Sequence, residues 1–431
     1  MKWLPLFPDT TNINDDALTI AGLSIASLAD KYGTPLYVYD RATLDRSAAA
    51  YRGALASFYA GAASITYAGK AYLSKAIAPW TQTHNLWVDC TGEGEIAIAQ
   101  AGGVSREHIL AHGVNKSPAD LKTALQHAGT IVVDNLAELE RIQALIPNYP
   151  SSPSLWLRLV PGLAVQTHHA HTQTGQHDSK FGMTSKEIVE AARFCREHNL
   201  PLNGIHFHQG SNFHDLSPLT KAIGLGLDLA QEINFGEKWH FSPGGGWGVA
   251  YNEDELPQPG IGEYVRAIAE TVTMGCQARG LSLPHLHLEP GRSLVARAGV
   301  AIYRVGAIKR RENKTWILVD GGMSDNPRYA LYGARYACVA AAAVSRERSE
   351  KASIAGPYCE SGDILIDEVW MPEVEVGETI AIPVSGAYQL SMSSNYNGAR
   401  RPAVLWLEEG RVRVIQRRET TDDLLRRDEW L

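Results

Sequence analysis

Apolar and polar positions alternate between two textures along the first 290 residues. Short runs rich in β-branched and aromatic residues read as strands: SITYAG (64–69), LWVDC (86–90), HILAHG (108–113), TIVVDN (130–135), LWLRLV (155–160), GIHFHQ (204–209), KWHFSP (238–243) and HLHLEP (285–290). Between them lie amphipathic stretches such as SPADLKTALQHAG (117–129) and SKEIVEAARFCREHN (185–199), which read as helices. Near-continuous apolar strands alternating with helices indicate parallel βα units. Eight of them predict an α/β fold, a closed (β/α)8 TIM-like barrel over residues 36–290. An open doubly wound sheet is the rival arrangement.

Beyond about residue 295 the texture changes. VARAGVAIYRVGAIKRR, TWILVDGG, DILIDEV, ETIAIPVS and VRVIQRR read as strands separated by turns. Helical periodicity is sparse there, except in the Ala-rich stretch 332–345, which reads as helical. These features predict a C-terminal β-sandwich or β-barrel-like domain over 291–431 that also takes in residues 1–35.

Composition narrows the partners. The chain has 431 residues, 45% of them hydrophobic, enough for one large core and a smaller one. A formal net charge of −7 gives no reason to expect nucleic acid or an anionic membrane as partner. Apolar runs fall far short of the ~20 residues of a membrane span. The start, MKWLPLFPDTTNINDD, lacks the apolar core and cleavage site of a signal peptide, so a cytoplasmic protein is expected. Five cysteines, an odd number without CxxC spacing, argue against a disulfide framework or a structural zinc site, and no metal is expected. One of them, Cys359 in the loop-like GPYCESGD (356–363), stays open at this level between nucleophile, metal ligand, disulfide partner and bystander.

In a barrel of this kind function collects at the C-terminal strand ends. Those ends carry Lys70, Asp89, Arg158, His206 with His208, the glycines of SPGGGWG (242–248), and Glu289 with Arg292. Each has a plain reading. Lys70 is more often a solvated strand end than a desolvated amine poised for a Schiff base. Gly244, Gly245 and Gly246 let backbone N–H groups approach an anion, but glycine runs are also ordinary turns. His206 and His208 share a strand face as a metal pair or a core feature, and no third ligand stands at a persuasive spacing. His168, His169, His171 and His177 lie in a polar loop and read as solvated. LEPGR (288–292) reads equally as a surface ion pair. Taken together, a lysine, a phosphate cradle and a carboxylate at one barrel mouth match what pyridoxal phosphate needs: a Schiff-base amine, a phosphate cup and a partner for the pyridine nitrogen.

Several motifs in order then carry a resemblance over about residues 25–425. They are YAGKA, QTHHAHTQTGQHDSKFGM (166–183), GIHFHQGS (204–211), GGGWG (244–248), LEPGRSLVARAG (288–299), VDGGMSDNPRYALYGARY (319–336), GPYCESGD and GAYQLSMSSNYNGARRP (386–402). The chain resembles the fold-type III, pyridoxal-phosphate-dependent amino acid decarboxylases, most closely those acting on diaminopimelate. The resemblance implies that Lys70 holds the cofactor and His208 stacks on its ring. Ser211, Gly244–Gly246, Pro290, Gly291, Arg292 and Tyr388 would surround the phosphate. Glu289 would meet the pyridine nitrogen, and Asp89 and Arg158 would shape the ring and lysine environment. Arg292, Arg328 and Tyr332 would grip the substrate's distal carboxylate and Glu360 its distal ammonium, with Tyr388 also among the substrate-binding residues. Cys359 would be the acid that returns a proton to Cα. The family builds its site across a homodimer interface, so Cys359 and Glu360 would serve the partner subunit. The expected reaction is decarboxylation of meso-2,6-diaminopimelate to L-lysine. The alternatives are a relative acting on ornithine, lysine, carboxynorspermidine or a carrier-bound glutamyl group, and a non-catalytic regulatory homologue. The departures are RYALY (328–332) where the family has RPALY, TGEGE (91–95), AYLSKA after the lysine, and RLVPG (158–162).

Overall fold

The structure is a computed structural model and describes residues 1–163, 175–176 and 178–431. The four loop histidines 168, 169, 171 and 177 lie outside the described residues. All eight expected strands form: β1 (Ala63–Ala68), β2 (Trp87–Thr91), β3 (Ile109–His112), β4 (Thr130–Val133), β5 (Ser154–Leu159), β6 (Leu202–Phe207), β7 (His240–Ser242) and β8 (His285–Leu288). They close into one barrel in sequential order, with β8 pairing β1, and every neighbouring pair is parallel. The open-sheet rival is thereby excluded.

The intervening helices begin where the sequence signals them. Ser117 caps Pro118–His127 with a reciprocal Ser117/Asp120 capping box, and Pro118 occupies the first turn, where its missing N–H costs nothing. Thr184 and Glu187 form the same device before Ser185–Glu197, whose buried stripe is Ile188, Ala191, Ala192 and Cys195.

The chain divides into two units, Ala48–Gly248 with Pro259–Ser293, and Met1–Ser47 with Val249–Gln258 and Leu294–Leu431. The first is the barrel. The second is built on a nine-stranded mixed sheet plus a small three-stranded sheet from Asn12–Asn14, Ala17–Ile20 and Leu23–Ser24. The barrel therefore starts later than residue 36. Leu36–Asp40 is a buried strand of the mixed sheet, antiparallel to Gly299–Ile302 and parallel to Ala403–Leu407. Residues 332–345 also depart from the helical reading. Gly333, at φ +59°, ends the short helix Arg328–Tyr332, and Val339–Ala340 pairs as a strand with Ile380 and Ala381. Burial beside a sheet overrides the high helix propensity of alanine there.

Candidate active site

Inward-facing residues at the C-terminal end of the barrel converge on Glu289, just past β8. It is 7% exposed, in a site where an isolated charge would be costly. Ser242, at the end of β7, donates to its Oε1 at 2.5 Å, and His206 on β6 donates through Nε2 to its Oε2 at 3.1 Å. That bond fixes the His206 tautomer as Nε2–H and leaves Nδ1 as a buried atom without a partner among the described residues. His112, at the end of β3, stands with Nε2 3.9 Å from Glu289 and 3.8 Å from Asp89. Burial works to raise the Glu289 carboxyl. The two histidines and the two hydrogen bonds outweigh burial and hold it well below the usual carboxylate range. Burial in turn pushes His206 and His112 below the usual imidazole range.

Asp89 behaves oppositely. Burial, opposed by Lys70 and Arg158 and reinforced by Glu289 and Glu95, pushes it up to about 7. Two carboxyls in one mouth thus sit at opposite ends of the scale, an arrangement typical of sites that handle protons. Arg158 is buried at the end of β5, 3.9 Å from Asp134 and stacked 4.7 Å over the ring of Phe181. Lys70 follows β1 in the turn Gly69–Ala71. Its side chain is exposed, and its charge reaches Asp89, His206 and His208.

The glycine run forms a close-packed cradle rather than a loose turn. A Cβ on Gly245 would lie 1.9 Å from the Glu289 carbonyl oxygen, and one on Gly246 would lie 2.1 Å from that of Gly210. Gly244 and Gly246 also take φ +75° and +106°. The Gly245 N–H points at His208 Nδ1, 3.3 Å away, and the Gly244 carbonyl accepts from the Glu289 N–H at 3.0 Å. Arg292 donates to Ser211 Oγ at 2.8 Å, bringing two expected phosphate neighbours together. Pro290 and Gly291 are buried beside them. An ionised carboxylate below, glycine N–H groups and an arginine alongside, and a lysine at the rim fit pyridoxal phosphate.

The remaining expected residues belong to the other unit and form two groups of their own. Arg328 is buried, donates from Nη1 to the Tyr336 hydroxyl at 2.7 Å and lies 4.6 Å over the Tyr251 ring. Gln389 donates to the same hydroxyl at 3.0 Å, whereas Arg328 Nε has no partner among the described residues. Tyr332 ends the same short helix, half-buried, and Tyr388 sits half-buried at φ +61°. Cys359 and Glu360 are exposed on a loop whose foot is pinned by Asp363. That carboxylate accepts from the N–H groups of Met323 at 2.7 Å and Tyr358 at 2.8 Å. Glu360 folds back to accept from the Gly362 N–H at 3.1 Å.

Sequence reading passed over His112, Ser242, Tyr336 and Asp363. His112 and Ser242 had a usable signal, being the last polar residues of HILAHG and KWHFS. Tyr336 and Asp363 act on partners distant in sequence or across a turn and had none.

Residues 41–296 match the family of pyridoxal-dependent decarboxylases through its pyridoxal-binding domain. Over its whole length the chain is similar to diaminopimelate decarboxylases. It is 39% identical to that of Bacillus subtilis over 422 residues, 95% of each chain. It is 37% identical to that of Actinosynnema pretiosum over 437 residues, 98% of this chain and 95% of the relative. The chain belongs to the diaminopimelate decarboxylase family. The crystal structure of the M. jannaschii enzyme in complex with L-lysine superposes with a TM-score of 0.90 at 29% identity, covering 98% of both chains. The fold of this decarboxylase and its use of a pyridoxal cofactor therefore agree with the sequence reading. Among its described residues no helix is long and apolar enough to cross a membrane.

Proposed function

We propose that the protein decarboxylates meso-2,6-diaminopimelate to L-lysine and CO2 in the cytoplasm, as a homodimer, with Lys70 and Cys359 as its catalytic residues. The observation that carries this reading is Glu289, kept ionised by His206 and Ser242 beneath the glycine cradle. When bound, pyridoxal phosphate supplies an electron sink for the pair released as CO2 leaves. Glu289 would pair with the pyridine nitrogen and favour its protonated form, which would strengthen that sink. Gly244, Gly245, Gly246, Ser211, Gly291, Arg292 and Tyr388 would hold the phosphate, and His208 would lie against the ring. Lys70 would be the residue that holds the cofactor through its amine. Asp89 and Arg158 fix the electrostatics around that amine.

Substrate selection rests on charge pairing at the far end of the molecule. Arg328, whose Nε lacks a partner among the described residues, takes the distal carboxylate with Arg292, Tyr332 and Tyr388. A substrate without that carboxylate leaves the arginine unpaired and is rejected. In the homodimer the exposed Cys359–Glu360 loop serves the other subunit. The thiol returns a proton to Cα, and Glu360 pairs with the distal ammonium.

Two measurements test the proposal. Holoenzyme given meso-diaminopimelate, ornithine, lysine or arginine in parallel should release CO2 from the first alone, with lysine as product. Release from ornithine at an equal rate would overturn the substrate assignment. Lys70→Ala should lose both the imine absorbance of the bound cofactor and turnover, and a fully active variant would overturn the site assignment.

A further inference from the structure

The opposite, N-terminal end of the barrel holds a second group of imidazoles that the decarboxylation does not use. His240 on β7 and His285 on β8 are direct neighbours in register, and His287 lies one inward-facing position further along β8. One ligand atom from each lies within 4.8 Å of the other two. His240 Nδ1 and His287 Nε2 are 2.9 Å apart, and Ser64 Oγ stands 2.8 Å from His285 Nε2. Two tryptophans wall the group. Trp156 has its ring centroid 4.6 Å from His287, and Trp87 lies 4.8 Å from it. His287 is fully buried, while His240 and His285 are half-buried and open the group to solvent at the barrel end.

This is a costly way to fill a barrel. His287 Nδ1 is buried with no partner among the described residues, which is less favourable than an apolar filler at that position. The other ring nitrogen, Nε2, is the one turned toward the group, 2.9 Å from His240 Nδ1. A neutral imidazole keeps one ring nitrogen with a free lone pair. Neutral imidazoles are the ligand type that zinc-class cations prefer.

We infer that His240, His285 and His287 form a binding site for a zinc-class divalent cation at the floor of the barrel. The His240–His287 edge is nearly set for it: 2.9 Å separates the two nitrogens, against about 3.3 Å for two imidazoles on a tetrahedral zinc. A cation placed there takes the lone pairs of both facing nitrogens, and the proton now between them moves to the far nitrogen of the ring that carries it. His285 stacks on His287 with ring centroids 4.4 Å apart and planes 21° apart, so it must turn about its side-chain bonds to aim a lone pair at the same ion. Its half-buried ring is hydrogen-bonded to the Ser64 hydroxyl and stacked on His240, and turning it exchanges those contacts for the ion. Solvent completes the coordination from the open side. The second cluster with ligand spacing, His112, His206 and Glu289, is the foot of the cofactor site and is not part of this inference.

The test is equilibrium dialysis of the holoenzyme against Zn2+ alone, with bound metal counted per chain. One zinc per chain is expected. His285→Ala and, separately, His240→Asn should each weaken binding by at least about tenfold, since losing even a partner behind a ligand costs that much. Circular dichroism checks that each variant is folded. Replacing His168, His169, His171 and His177 together by Ala should leave the affinity unchanged. A second readout is local to the floor: Ni2+ should quench part of the tryptophan emission, and Trp156→Phe should reduce that quenching. No stoichiometric zinc, binding that survives both floor variants, or binding lost with the four loop histidines would each overturn the inference.

Discussion

The two ends of one barrel differ by a single step along each strand. At the floor stand Trp87, Leu110, Val132, Trp156, Gly204, His240 and His287. Two residues further on, at the mouth, the same strands present Asp89, His112, Asp134, Arg158, His206, Ser242 and Glu289. Because strand residues i and i+2 share a face, the change from an aromatic, uncharged layer to a charged one takes place over about 7 Å. Leu110, Val132 and Trp156 form a buried cluster with Trp87 packed against it. The mouth buries just as deeply but spends its side chains on charge. Burial alone does not mark a stabilising layer. What each layer does depends on whether its buried groups are apolar or charged and paired.

The sharpest way to break this contrast is to remove one residue from each layer. Trp156→Ala deletes the largest fully buried side chain and should lower unfolding stability by about 3–5 kcal/mol, read by urea denaturation. Turnover per folded molecule should stay near that of the parent chain. Glu289→Gln keeps the volume of the mouth and removes its charge. It should cost about 10²–10³ in kcat while lowering the denaturation midpoint less than Trp156→Ala does, because the electrostatic contribution is lost and the packing is not. If Trp156→Ala abolished turnover of folded enzyme, or Glu289→Gln unfolded the chain, the two layers would not be separable.

A smaller change sharpens the geometry of the floor. A Cβ on Gly204 would lie 2.5 Å from Trp156 Cδ1, so glycine is what allows the indole to lie across β6. Gly204→Ala should cost about 1–3 kcal/mol as overpacking. Gly224→Ala, in the helix Ser217–Ile233 with nothing within 4 Å of the added carbon, should instead stabilise by about 0.5–1 kcal/mol. Equal effects at both positions would mean that the Trp156 contact does not govern Gly204.

The barrel was legible because eight apolar runs, each ending in a polar or glycine-rich signal, repeat a pattern that few folds share. The lysine, the glycine cradle and the LEPGR carboxylate were legible for the same reason: strand ends can be found by counting. Less was readable where long-range packing decides. Leu36–Asp40 looks like any buried strand, and only its pairing with Gly299–Ile302 and Ala403–Leu407 assigns it to the mixed sheet. The Ala-rich stretch after Tyr332 has helix-forming residues, but Gly333 and the pairing of Val339–Ala340 decide its conformation. The imidazole group at the floor was invisible for a related reason. His240 and His285 lie on separate runs, and closing the barrel brings them side by side.

The smallest expected effect distinguishes the two layers by sign. Burial lowers His240 from the usual imidazole range to about 4. As pH falls, the unfolded chain takes up that proton first, near pH 6.5, and the folded chain resists until about pH 4. The stability that His240 allows is therefore complete above pH 6.5 and is lost progressively on the way down to about 4, below which the loss is constant. With the ring half-buried, the loss is on the order of 1 kcal/mol. His240→Gln, which can still hydrogen-bond to His287, should flatten urea midpoints between pH 7 and pH 4 relative to the parent chain. The same physical cause acts in reverse at the mouth. Burial raises Asp89 to about 7, so its contribution is complete below the ordinary carboxylate range and is lost as pH rises toward 7. Asp89→Asn should accordingly alter the slope in the opposite sense. If both variants shifted it the same way, burial would not be the common cause, and the contrast between floor and mouth would have to rest on their ion pairs alone.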